Sequence, residues 1–407
     1  MLASLVPLFN TRMDVHGYFV LAQRENFLLD AAHATSSRFD NANQIEGFEI
    51  IEGMGIATLS SDRELFVPVN NVALFSDLSR QFSGAHDHIV LVIDNGVEPT
   101  PMYIQRLHDL QMNGFRIGMQ HLPLNRIKDY SVVLALCDYL FLDCHRVDIT
   151  KAKSYFLRNL PQLMLCAISV DTQEKYNELK ELGGFHLFAG KFFRLPPVPM
   201  GEELSPLKAT YLELIRVVNQ EDYDLITAAD VLGQDPVLVV SLLKIVNRMT
   251  INNGITSVRH AAAILGQREL KRWINTAITK ELCADKPSEI TRLSMLRARF
   301  AENLAPVFGM SMYSGDLFLM GLFSVLDIML DEPIDKALQR VRVSMNIYNA
   351  LVSGTGIFSP VYHFMKEYET ASWQEVSRMM ILLNLDMDVI YEAYLNSLRW
   401  YRDLITA

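Results

Sequence analysis

Two groups of side chains in this sequence could do chemistry, and neither completes a known device. Cys137, Cys144 and His145 are close neighbours and offer soft metal ligands. Their spacing does not match the usual zinc frameworks, so they read as cysteines packed in apolar surroundings. Arg259, Arg268, Lys271 and Arg272 gather around Gly266. Two helices joined there could place residues 268–280 in a DNA groove or hold a phosphate. Trp273, Ile274 and Ile278 mark the same stretch as having a buried face, so the four cations read as a solvated edge and a candidate interaction surface. The chain has no G-x-x-x-x-G-K-[ST] loop, no G-x-S-x-G elbow and no H-E-x-x-H helix. Gly53-Met54-Gly55 is a lone glycine pair and predicts a turn.

The elements that would position these groups fall into two textures. Before residue 195, short apolar runs such as Ile89-Val90-Leu91-Val92-Ile93, Phe115 to Met119, Tyr139 to Leu142, Leu163 to Ile168 and Gly184 to Phe188 alternate with amphipathic stretches at 102–113, 124–136, 148–159 and 171–182. Buried strands separated by helices predict βαβ units and a parallel sheet, and so many repeats in so short a length favour a (β/α) barrel. Residues 32–46 read as a polar loop. Four prolines at 196, 197, 199 and 206 then interrupt both helix and strand. Beyond them nearly everything reads as helix. Asp235-Pro236 forms an N-cap with proline at the first helical position, and Ser257 caps a helix that ends at Gly266. Residues 237–246 are apolar on almost every face, which predicts a central, buried helix. Further helices are expected at 268–282, 289–304, 316–330, 374–384 and 386–402, with Met320, Met329, Met379 and Met380 as core residues.

Composition limits the function classes. Half of the 407 residues are hydrophobic, which excludes a mainly disordered chain. The net charge of −10 is shared by both halves and argues against a general nucleic-acid binder. No stretch is long and apolar enough to span a membrane, the N-terminus lacks the pattern of a secretory signal, and four cysteines do not make a disulfide scaffold. These features predict a cytoplasmic protein.

The run Pro7-Leu8-Phe9-Asn10-Thr11-Arg12-Met13-Asp14-Val15-His16-Gly17-Tyr18-Phe19-Val20-Leu21 resembles the opening of EAL domains, the cyclic di-GMP phosphodiesterases. Gly184-Phe185-His186-Leu187-Phe188-Ala189-Gly190-Lys191-Phe192-Phe193 resembles that family's closing stretch. The resemblance covers about residues 1–199 and implies a TIM-like barrel of EAL type. It also implies a reaction needing two divalent cations held by carboxylate oxygens. Here the sequence departs from the family. The signature glutamate falls on Phe19, an asparagine on Pro68 and the next glutamate on Val92. The paired aspartates fall on Gln120 and His121. A lysine falls on Phe141, although its companion aspartate is kept as Asp143. A later glutamate falls on Ile168 and the closing glutamine on Ala189. His121 could bind a softer metal but reads as a loop histidine. Apolar groups cannot hold Mg²⁺ or Mn²⁺, so the barrel is expected to be without catalysis, cofactor or metal. Binding of the dinucleotide is then not expected, because apolar walls leave its phosphates unpaired.

Residues 235–247 and 255–266 resemble the HDOD domain, a helical relative of the HD phosphohydrolases, and this second resemblance covers about 200–390. Where such enzymes carry a metal-binding His-Asp pair, this sequence has Ser324 and Val325 in Gly321-Leu322-Phe323-Ser324-Val325-Leu326-Asp327. The two resemblances together imply an α/β barrel at 1–199 followed by an all-α domain with C-terminal helices at 200–407. The expected function is non-catalytic bacterial signal transduction through binding another signalling protein, with motility, attachment or two-component control as outputs. Reorientation about residues 196–206 and pairing of two copies through the barrel are both open as mechanisms. The competing readings are a residual cyclic di-GMP phosphodiesterase or effector, and a DNA-binding regulator.

Overall fold

The computed structural model describes residues 1–24, 26, 48–60, 63–82, 86–194, 205–220, 222–249 and 254–406. The polar loop at 32–46 and most of the proline-rich joint therefore lie outside the described residues. The chain divides into a barrel unit (Met1–Leu195, Pro306–Met310 and His363–Ala407) and a helical unit (Pro196–Ala305 and Ser311–Tyr362).

In the barrel unit eight strands close in sequence order: β1 (Leu2–Phe9), β2 (Val15–Gln23), β3 (Glu64–Pro68), β4 (Ile89–Ile93), β5 (Arg116–Met119), β6 (Tyr139–Asp143), β7 (Met164–Ile168) and β8 (Leu187–Phe188). Strands β2 to β8 run parallel, whereas β1 is antiparallel to both its neighbours. Thr172 and Asp148 cap the helices after β7 and β6 by accepting backbone N–H bonds from Lys175 and Lys151. The expected helix at 124–136 is replaced by a short 3₁₀ turn and the helix Ser131–Ala135.

The barrel interior is filled by side chains. Leu8, Phe19, Phe66, Val90, Val92, Tyr139, Phe141, Cys166, Leu187 and Ala189 form one buried cluster. Gly118 makes this possible: a Cβ there would lie 2.9 Å from the Phe141 ring. Gly190 has φ +155°, and a Cβ there would meet the Val170 carbonyl oxygen at 2.0 Å. Both positions need glycine for close approach.

The seam between β1 and β8 pairs only at Phe9 and Phe188. The C-terminal residues cover the rest of that edge. Ala3 N–H donates to the Tyr368 hydroxyl at 3.3 Å and Leu5 N–H to the Tyr394 hydroxyl at 3.4 Å. Residue 7, next in the same alternation, is proline and has no N–H to satisfy. Arg194–Glu369 at 2.6 Å and Gln23–Ser377 at 3.0 Å add to this closure. Residues 363–407 thus complete the barrel unit, where the sequence had placed them with the second domain. Their apolar faces announce burial but not the surface they cover.

In the helical unit Asp235 accepts from Val237 and Leu238 N–H, Ser257 accepts from His260 N–H, and Gly266 interrupts the helix at φ 73°. The expected helix at 316–330 is broken into Ser314–Phe323 and Leu326–Leu330. Met320 and Met329 are buried here, as are Met379 and Met380 in the barrel unit. The helix Pro236–Met249 contradicts its expectation of full burial. Leu238, Leu242 and Val246 face the core, while Val237 and Val240 are 60% and 52% exposed. All-round hydrophobicity did not distinguish a central helix from one with an uncovered face.

Candidate functional site

In α/β barrels chemistry belongs to the carboxyl ends of the strands. Here Phe19, Phe66 and Phe141 pack together inside the barrel in tilted and edge-to-face pairs, with ring centroids 4.9 to 5.7 Å apart. Val92 and Ala189 are buried in the same cluster, and Ile168 packs against it. Pro68 ends β3 beside Val92, and Gln120 N–H is bound to the Ile93 carbonyl. The structure therefore gathers most of the substituted positions into one packed interior.

Above this floor lies a cavity of about 500 Å³, with Phe141 and Ile168 beneath and Asn95, His121, Asn125, Asp143 and Arg146 around it. His121 is exposed and held at φ 52°. The Asp143 carboxylate is already engaged: it accepts His145 N–H at 2.9 Å and lies 3.5 Å from Arg146 Nε. His145 pairs with Asp171 at 2.9 Å on the surface. Among the described residues no three His, Cys, Asp or Glu side chains are grouped to hold a metal ion. One committed carboxylate and one exposed imidazole do not fit a pair of hard cations, which need several oxygen donors. Cys137 and Cys166 are buried free thiols, both pushed up by burial, and the Cys144 thiol is pushed up to about 11 for the same reason. None is a ready thiolate nucleophile.

The opposite end of the barrel holds a polar network that the sequence did not reveal. Arg116 and Tyr139, at the first positions of β5 and β6, both donate to the carboxylate of Glu64, the first residue of β3. His16 Nε2 lies 3.1 Å from the same carboxylate. Burial, and then the positive charges of Arg116 and Arg63, hold the His16 pKa below its usual value. Glu64 is already matched by Arg116, so neutral His16 serves as a donor. Burial pushes the Tyr139 hydroxyl up to about 12. The signal was a charged residue opening an otherwise apolar strand, at Glu64 and at Arg116.

In the helical unit Ser324 donates to the Gly321 carbonyl at 2.6 Å and accepts from the buried Arg297 at 3.0 Å. Val325 is buried in the turn that follows. A serine committed to its own helix end and a valine offer no metal ligands. The four expected surface cations have different surroundings. Arg259 makes two 2.7 Å bonds to Asp230. Arg272 bonds Glu302 and lies 4.5 Å from the Phe318 ring centroid. Lys271 is half-buried, which lowers its pKa, and Arg268 is exposed.

Comparison with known proteins places the helical unit. Residues 204–345 match the HDOD domain family. That part of the chain is an HDOD domain. The chain is 26% identical over 416 residues to the uncharacterized protein YuxH of Bacillus subtilis, covering 98% of each. It is 25% identical over 323 residues to the cyclic di-GMP phosphodiesterase CdgJ of Vibrio cholerae, covering 78% of this chain and 74% of that one. Among solved structures it is similar to the Klebsiella pneumoniae BlrP1 manganese/cyclic di-GMP complex (TM-score 0.39, 15% identity, 47% of this chain and 55% of that one). It is also similar to the Bacillus subtilis YkuI protein, which has an EAL domain, in complex with cyclic di-GMP and calcium (TM-score 0.34, 18% identity, 46% and 54%). The chain spans about half the length of these two structures. The HDOD domain begins directly after the barrel and contains Ser324 and Val325.

Proposed function

We propose that this protein is a non-catalytic signal-transduction component of a cyclic di-GMP network that acts by binding another signalling protein. One observation carries the reading: Phe19, Val92, Phe141, Ile168 and Ala189 fill the barrel interior where a metal-dependent hydrolase of this kind needs oxygen donors. Ser324 and Val325 give the same answer for the HDOD domain. The 25% identity to a Vibrio cholerae cyclic di-GMP phosphodiesterase supports the network. A chain with no helix among its described residues able to cross a membrane suits the cytoplasm. The pairing of Arg259 and Arg272 with carboxylates counts against DNA binding, since those charges are no longer free for phosphates.

The test is hydrolysis of cyclic di-GMP by the purified chain with Mg²⁺ or Mn²⁺. No linear product above the blank is expected; product that disappears in Asp143→Asn overturns the reading. A second reading, an effector that binds the dinucleotide without cleaving it, is favoured by the mouth cavity and its Arg146 and Asn95 side chains. Calorimetry with and without Mg²⁺ separates the two. Metal-independent heat that is lost in Arg146→Ala selects the effector, and no heat selects the interaction protein.

A further inference from the structure

We propose that the uncovered face of the helix Pro236–Met249 is a docking groove for an acidic amphipathic helix of a partner protein, bound antiparallel to it. The inference rests on the interaction reading above and gives that interaction a place and a chemistry. Leu238, Leu242 and Val246, four residues apart, supply this helix's share of the HDOD core. A second stripe points elsewhere. Val240, Leu243, Lys244, Asn247 and Arg248 follow one another at helical spacing and, with Ile255 and Thr256, line a groove of about 540 Å³. Val237 continues the stripe by one turn and is 60% exposed.

The groove has a fixed wall. Asn247 Nδ2 donates to the Ile255 carbonyl at 3.0 Å, and Ile255 N–H donates to Asn247 Oδ1 at 2.6 Å. One amide thus clamps the segment that carries Ile255 and Thr256, so the groove is preformed and a ligand need not open it.

Charge selects the occupant. Several other cations of the helical unit are matched to carboxylates, among them Lys208 to Asp285, Arg259 to Asp230, Arg272 to Glu302, Lys286 to Asp331 and Arg340 to Glu332. Lys244 and Arg248 are exposed and have no carboxylate partner among the described residues. Two exposed positive charges beside an apolar groove fit a ligand bringing both apolar anchors and carboxylates. An anionic membrane fits less well, because two cations fall short of the cluster of about four or more that such a surface recruits. The polarity sets direction. The apolar end lies at Val237 and Val240, and the cations lie toward the helix C-terminus. Carboxylates are most favourable in the first turn of a helix. An acid-rich first turn beside Arg248, with anchors at i, i+3, i+4 and i+7 running back toward Val237, satisfies both ends. Residues 237–248 span about 17 Å, so three turns of partner helix suffice.

The test uses the full chain and two fluorescein-labelled 18-residue peptides. Both carry leucine at i, i+3, i+4 and i+7; one has glutamates in its first turn and the other lysines. Fluorescence anisotropy should show the acidic peptide binding at least about tenfold more tightly. Lys244→Glu with Arg248→Glu should reverse that preference, Val240→Asp should weaken binding by about tenfold or more, and Lys336→Glu should leave it unchanged. Circular dichroism melts confirm that the surface variants are folded. No binding of the acidic peptide, equal binding of both peptides, or indifference to Val240→Asp overturns the proposal. So does a wild-type dimer that Val240→Asp splits, which would make a second copy the occupant. Binding to phosphatidylglycerol vesicles that Val240→Asp abolishes overturns it in favour of a membrane. Metal-dependent turnover alongside peptide binding would overturn the interaction reading and leave the groove; a silent peptide without turnover would overturn the groove alone.

Discussion

The two ends of the barrel reverse the usual division of labour. In the barrel interior beneath the carboxyl ends, where such barrels place their chemistry, Phe19, Val92 and Phe141 are packed as core. At the amino ends, where packing is the rule, Glu64 gathers Arg116, Tyr139 and His16. The contrast separates two reasons for polar groups in a barrel. The lower network ties Arg116, Tyr139 and His16 to one carboxylate. The mouth has a cavity, and the interior beneath it is packed with aromatic and aliphatic side chains. Polarity here marks structure, and apolarity marks the place where a reaction would sit.

The comparison breaks most visibly at Phe19. Phe19→Glu puts an unpaired carboxylate among aromatic rings, and a loss of about 4 kcal/mol or more is expected in urea unfolding. A variant as stable as the parent would mean that the barrel interior can accept a charge and that its apolar filling is incidental. Next comes Glu64→Ala, which strands Arg116. The expected cost is about 2–3 kcal/mol, because Arg116 keeps part of its surface in water. An unchanged denaturation midpoint would deny the lower network its structural role.

The pH dependence is smaller. The His16 pKa is lowered in the folded chain, so the unfolded chain takes up the proton first. The contribution of His16 is therefore present above its ordinary value of about 6.5 and is lost as pH falls through the lowered one. Melting temperatures at pH 7.5 and 5.5 should fall less in His16→Asn than in the parent, and equal falls would remove His16 from the network. The smallest effect is expected at the mouth rim. Arg146 is 70% exposed, and Arg146→Ala should change stability by no more than about 0.5 kcal/mol. A large loss there would mean that the cavity wall is a packing element after all.

Much of this contrast was legible in the sequence. The apolar runs gave the strands, and they placed Phe19, Val92, Phe141 and Ile168 at strand positions. Asp235 and Ser257 were readable as caps because capping is local. Interactions between distant segments were not readable. Glu64 and Arg116 are 52 residues apart, and nothing in either neighbourhood names the other. The tyrosines at 368 and 394 look like ordinary core residues until the bare edge of β1 is known. The helix Pro236–Met249 misled because hydrophobicity on all sides can mean deep burial or a face waiting for company.

The closure of β1 by the hydroxyls of Tyr368 and Tyr394 has a consequence for anyone dividing this protein. The chain leaves the barrel, builds the HDOD domain and comes back, so the first and last stretches of the polypeptide are halves of one object. A gene cut at the prolines would yield an N-terminal fragment with a raw, sticky border and a C-terminal fragment dragging greasy helices meant for something else. Any fragment meant to hold the barrel must keep both stretches together.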